Sequence, residues 1–108
     1  VKACWKVWIG ENGQKVFGKG PKDLLLKIDQ VGSINKAAKE MGMSYSKAIR
    51  LINTIEENLG IVVLERKVGG DSGGGSVLTD DARKLIDKFE KMEYAISKEI
   101  EKIYKETF

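Results

Sequence analysis

"GSINKAAKEMGMSYSKAIRLINTIEENLG", Gly32 to Gly60, is the stretch on which the reading of the whole chain turns. Ser33 suits a helix N-cap, and Ile34, Ala37, Ala38 and Met41 then recur on one helical face. Gly42 ends that short helix. Ser44 caps the next, in which Ala48, Leu51, Ile52, Ile55 and Leu59 form an apolar stripe that stops at Gly60. Two helices meet across a short turn containing glycine, with small alanines where they must cross closely. This is the helix-turn-helix pattern.

The opposite side of the second of these helices is polar. Ser46, Arg50 and Asn53 fall roughly opposite the stripe, with Tyr45 and Ile49 on one flank and Lys47 on the other. Its start therefore presents Ser44, Tyr45, Ser46, Lys47 and Arg50, and no acid follows until Glu56. A donor-rich, acid-free helix start is what a reader of the DNA major groove needs. Arginine pairs bidentately with guanine, and serine and tyrosine reach phosphates or base edges. These five residues, with Lys36 on the preceding helix, are the expected contacts with double-stranded DNA. Two short helices around a glycine also occur in proteins that bind no DNA, so the flanking segments carry weight.

Downstream, "IVVLERK" (61–67) is β-branched and predicts a strand. "VGGDSGGGSV" (68–77) crowds five glycines into seven positions, and "SVLT" (76–79) predicts a return strand. A strand, a glycine-rich turn and a return strand after the reader helix form a wing. Arg66 and Lys67 stand at its base, where cations meet the DNA backbone beside the groove. Gly70, Gly73 and Gly74 would let the wing backbone approach a phosphate. The stretch is not a nucleotide phosphate loop, because no lysine follows Gly75. No crossover unit surrounds it, so a dinucleotide fingerprint fails too.

Upstream, "CWKVWIGENGQKVFG" (4–18) predicts a hairpin around Asn12-Gly13, a type I′ turn that would pair Trp8 with Phe17 and Ile9 with Val16. "KGPKDLLLKIDQVG" (19–32) predicts a helix, with Pro21 at its first position and Leu24, Leu25, Ile28 and Val31 inward. At the other end, Thr79 caps a long helix with Asp80 and Asp81 in its first turn. Its apolar residues run at nearly heptad spacing from Ala82 to Ile103. The first part can pack on the domain. Leu85, Phe89, Met92, Ile96, Ile100 and Ile103 are the expected seam of a homodimer, which would place two readers on a palindromic or pseudo-palindromic site. Folding back onto the N-terminal hairpin is the alternative.

The expected fold is mainly α with small β: a winged helix-turn-helix with an N-terminal β-hairpin and a long C-terminal dimerisation helix. Residues 1–78 would be the DNA-binding part and 79–108 the helix, in one structural unit. The length, 108 residues, suits one domain. Nineteen basic residues against sixteen acidic give a net charge of +3. Residues 79–108 hold seven basic and eight acidic residues, so the positive excess lies outside the long helix. With no histidine and one cysteine, Cys4, the chain lacks the means for a zinc site, an internal disulfide or histidine-based catalysis. No nucleophile-and-base pair is apparent, so neither an enzyme nor a cofactor is expected. No apolar run approaches the ~20 residues of a membrane span. "VKACWKVWIG" is broken by Lys6 and is too short for a signal peptide. A cytoplasmic location is expected. The sequence does not begin with Met, so it can have lost upstream residues.

"GSINKAAKEMGMSYSKAI", then "VLERKVGGDSGGGSVLT", then a long helix, resembles the N-terminal DNA-binding domain of LysR-type regulators. The likeness is closer to the molybdate-responsive repressor (ModE) family, covers most of the chain, and is most specific in the glycine-rich wing. It implies that Ser44, Tyr45, Ser46, Lys47 and Arg50 enter the major groove. It also implies that Lys67 and the wing glycines face the DNA backbone, and that the long helix dimerises. Molybdate-sensing members of that family carry a further C-terminal pair of oxyanion-binding domains, for which a chain ending at Phe108 has no room. Molybdate sensing is therefore not carried over, and the effector is left unnamed. Two rival readings are a winged-helix protein-interaction module and an oxyanion sensor built on the amides of the glycine stretch.

Overall fold

The computed structural model describes residues 1–67 and 75–108. Its elements, in order, are β1 (Ile9–Glu11), β2 (Gln14–Phe17), α1 (Lys19–Val31), α2 (Ile34–Glu40), α3 (Tyr45–Leu59), β3 (Leu64–Lys67), β4 (Gly75–Leu78) and α4 (Asp80–Thr107). Winged helix-turn-helix is the architecture they make: α2 and α3 are the helix pair, and β3 and β4 pair antiparallel as the wing.

The first hairpin turns as its sequence predicts. Asn12 and Gly13 both have positive φ, 48° and 78°, as a type I′ turn requires. Its register departs from the expected one. Glu11 pairs with Gln14 and Gly10 with Lys15, but a bulge then sets Ile9 opposite Phe17, so neither Ile9–Val16 nor Trp8–Phe17 forms. The core is the cause. Val16 and Phe17 are consecutive and both buried, whereas strict alternation would turn one of them to solvent.

α1 begins at Lys19, so Pro21 is its third residue rather than its first. Proline is still tolerated there, because the amides of the first turn have no partner within the helix. Three helices carry the side-chain caps their sequences announce. Ser33, Ser44 and Thr79 each accept a hydrogen bond, at 3.1 Å, from the amide three residues ahead.

The core is continuous from the first hairpin to α4. Leu24, Leu25 and Ile28 of α1 meet Ala37 and Ala38 of α2, and Ala48, Ile52 and Ile55 of α3. Phe17 lies edge-on to Phe89 of α4, with ring centroids 5.2 Å apart and planes at 89°. Phe89 is thus 2% exposed within a single chain, which corrects its expected place on a dimer seam. The first half of α4 buries Ala82, Ile86 and Phe89 at spacings of four and three, because the domain offers them an apolar surface. Lys22 crosses to the same helix: its Nζ is 2.9 Å from Glu93, 3.8 Å from Glu90 and 5.8 Å from the centre of the Phe89 ring.

Beyond Phe89, α4 leaves the core. Leu85 and Met92 pack partly against it, Ile96 and Ile100 are half-buried, and Ile103 is 53% exposed. At 1.5 Å per residue, the 28 residues of α4 span about 42 Å. Val1 to Trp5 face Ser97, Ile100, Glu101, Tyr104 and Lys105 across an open groove of about 560 Å³. The chain's own N-terminus therefore lies beside the distal half of the helix. Among the described residues, no helix is long and apolar enough to cross a membrane.

Thr79 joins three elements. Its hydroxyl donates to the Val62 carbonyl at 2.6 Å while accepting from Ala82, and its amide donates to the Val63 carbonyl at 3.1 Å. Replacing it with valine keeps the shape and removes both side-chain bonds at a nearly buried site. Thr79→Val is expected to cost about 1–3 kcal/mol in urea unfolding, with an unchanged m-value.

Candidate nucleic-acid interface

α3 divides cleanly between two environments. Ala48, Ile52 and Ile55 are buried, whereas Ser46, Arg50, Asn53 and Glu57 are exposed at spacings of four, three and four. The buried row fixes the direction of the exposed one. Tyr45, at 52% exposure, and Lys47 extend the polar face across the first turn, which holds no acid. The positive end of the helix dipole is therefore unopposed there. Glu56, the nearest acid in sequence, is directed elsewhere: its carboxylate accepts from the Val63 amide at 2.9 Å.

Ser44 is engaged as the N-cap, and its hydroxyl proton remains available for donation. Lys36 is exposed in the first turn of α2. Arg66 is exposed on β3, where it pairs with Ser76 of β4. Backbone pairing sets Lys67 opposite Gly75. Gly70, Gly73 and Gly74, and the side chain of Lys67, lie outside the described residues. Asn53 was not among the expected contacts, yet it continues the exposed row of Ser46 and Arg50. Its position on the helical wheel was the available signal, and asparagine is suited to adenine.

The base of the wing is built around Asp29 of α1, which no local sequence pattern flags. Its Oδ1 accepts from the Leu78 amide at 3.3 Å and from Arg83 Nη2 at 2.9 Å, and its Oδ2 accepts from Arg83 Nη1 at 3.0 Å. Hydrogen bonding from Arg83 holds the Asp29 carboxyl below the usual aspartate range against the opposing pull of burial, with further help from the Leu78 amide. The same pairing raises Arg83 above its ordinary value.

The α2–α3 helix pair, with a two-stranded wing beside it, defines a winged helix-turn-helix domain. Residues 23–83 match the family model of bacterial regulatory helix-turn-helix proteins of the lysR family. The chain belongs to that family. It is 38% identical over 78 residues to the DNA-binding transcriptional dual regulator ModE of Escherichia coli K12, covering 71% of this chain and 30% of that protein. It is 37% identical over 75 residues to the molybdenum-pterin-binding protein MopB of Rhodobacter capsulatus, covering 69% and 28%. The chain thus spans under a third of the length of these relatives. A crystal structure of a CbnR DBD–DNA complex shares the fold, with a TM-score of 0.56 and 20% identity over 74% of this chain and 86% of that one.

The Asp29 pairing has a signed pH dependence. Folding lowers the pKa of this group, so the unfolded chain binds its proton more readily. Its contribution to stability is full above the ordinary aspartate value of about 3.9 and is lost as pH falls through the lower folded value. The stability difference between the unaltered chain and Asp29→Asn should therefore be flat from about pH 5 to 7 and shrink below about pH 4 in chemical unfolding series.

Proposed function

We propose that this domain is the DNA-binding part of a transcriptional regulator, acting in the cytoplasm without catalysis or cofactor. Residues 44–59 would enter the major groove with Ser44, Tyr45, Ser46, Lys47 and Arg50 as readers. Lys36, Arg66, Lys67 and the wing glycines would meet the phosphate backbone. The observation that carries this reading is the division of α3: exposed donors and cations, free of acids as far as Asn53, set on a buried apolar row. Family membership supports it. So do a relative named a DNA-binding transcriptional dual regulator and a fold neighbour seen with DNA.

The domain would act as a homodimer on a palindromic or pseudo-palindromic operator, with residues 1–78 reading and 79–108 joining the copies. Leu85, Met92, Ile96, Ile100 and Ile103 are then the candidate seam, without Phe89. The partly exposed apolar residues of distal α4 favour this arrangement. A protein-interaction module predicts no DNA complex at all. An oxyanion sensor predicts heat on titration with molybdate, tungstate or sulfate.

A mobility-shift assay with the DNA upstream of its own gene, at two salt concentrations, tests the reading. A specific complex that weakens with salt is expected, and failure to shift any duplex at low salt rejects it. Arg50→Ala should cost about 1–3 kcal/mol and relax base preference at one position of each half-site. Unaltered preference in a binding-site selection removes Arg50 from the readers.

A further inference from the structure

β4 is fastened to α1 on the edge it does not share with β3. The Ser76 amide donates to the Gly32 carbonyl at 2.9 Å, and the Leu78 amide to Asp29. The end of α1 thereby takes up an edge that would otherwise be left unpaired. The approach is close: a Cβ built on Gly75 would lie 2.8 Å from the Gly32 oxygen. Gly32 is also the last residue before the Ser33 cap of α2, so the wing is held at the point where the helix pair begins. Arg66 pairs with Ser76 across the wing, and the position of β4 therefore fixes the position of Arg66.

We propose that Asp29 is a positioning residue for the wing, holding β4 on the end of α1 so that Arg66 stands where it meets a DNA phosphate. This rests on the DNA-binding reading above. Arg83 completes the arrangement from α4, because its two hydrogen bonds fix the plane of the same carboxylate. The Arg83 side chain is 52% exposed and that of Asp29 is 27% exposed. A pair so exposed adds little stability, but a bidentate one defines geometry well. Loss of Asp29 should therefore show in DNA affinity far more than in unfolding.

The test measures binding to a mixed-sequence duplex across a salt series. Wing contacts with phosphate do not depend on sequence, so no operator is needed. Asp29→Ala and Gly75→Ala should each weaken binding roughly fivefold and lower the salt slope by about one. Arg66→Ala should do the same in the unaltered chain, but change affinity by less than about twofold when added to Asp29→Ala. Lys47→Ala should keep its full effect in both backgrounds. A purely structural role would leave the Arg66 and Asp29 effects additive, and that result, or unchanged affinity in both wing-base variants, overturns the proposal.

Amide exchange on the free protein supplies a readout independent of DNA. In Asp29→Ala, the Ser76 and Leu78 amides should exchange about tenfold faster while those of Ile52 and Ile55 do not change. If the unaltered chain binds no duplex, the DNA-binding reading fails, whereas unaltered exchange at Ser76 and Leu78 overturns the positioning role itself. Should Asp29→Ala not fold, Arg83→Met and Gly75→Ala carry the same comparisons.

Discussion

The close crossing of α2 and α3 over Ala37, Ala38 and Ala48 sets the position of each exposed side chain on the candidate interface. All three alanines are essentially without solvent contact. Larger side chains there would force the helices apart, at a cost of about 1–3 kcal/mol for each overpacked site. They would also lift α3 from Ile28 and Leu25, and turn Ser46, Arg50 and Asn53 away from a common direction. The tight crossing thus matters twice, once for the core and once for the aim of the polar face. The caps at Ser33 and Ser44 fix where each helix starts, and so the rotational phase of both.

The wing has a different support. It contributes Leu78, with Val63 just before it, to the core, and it relies for its placement on hydrogen bonds at its base. Thr79 ties its end to Val62 and Val63 just ahead of β3, Glu56 ties α3 to Val63, and Asp29 and Gly32 hold its outer edge. Among the described residues, no buried side-chain polar atom is left without a partner. A short two-stranded ribbon is marginal alone in water. Here four separate residues secure its base while the Arg66 side chain remains exposed.

Local chemistry made most of the architecture readable. Ser and Thr caps, glycines at helix ends and the Asn12-Gly13 turn have requirements that a few adjacent residues satisfy. The buried stripes of α1 and α3 were readable for the same reason, because a helix wheel is a local property. What escaped the sequence depends on distant partners. The hairpin slipped by one residue after Lys15 because Val16 and Phe17 are both needed by a core assembled from elsewhere in the chain. Phe89 fits a heptad as well as it fits a cavity, and only the presence of Phe17 decides between them. The phase of early α4 is likewise set by the domain, which chose Ile86 over Leu85. At the candidate site, the exposed row of α3 was visible in its spacing, whereas Asp29 and Arg83, 54 positions apart, share no local pattern.

The contact between the first hairpin and α4 bears on how the chain is made. Lys22 and Glu93 are 71 positions apart, and Phe17 and Phe89 lie beside them. At ribosomal rates of about 5–20 residues per second, the partners of the hairpin are synthesised many seconds after it. The helix pair, whose contacts are closer in sequence, can assemble in that interval. During it, Phe17 has nothing from α4 to cover it. The newborn domain thus passes through a stage with Phe17 uncovered on this side, which closes only when α4 has emerged from the ribosome and docks.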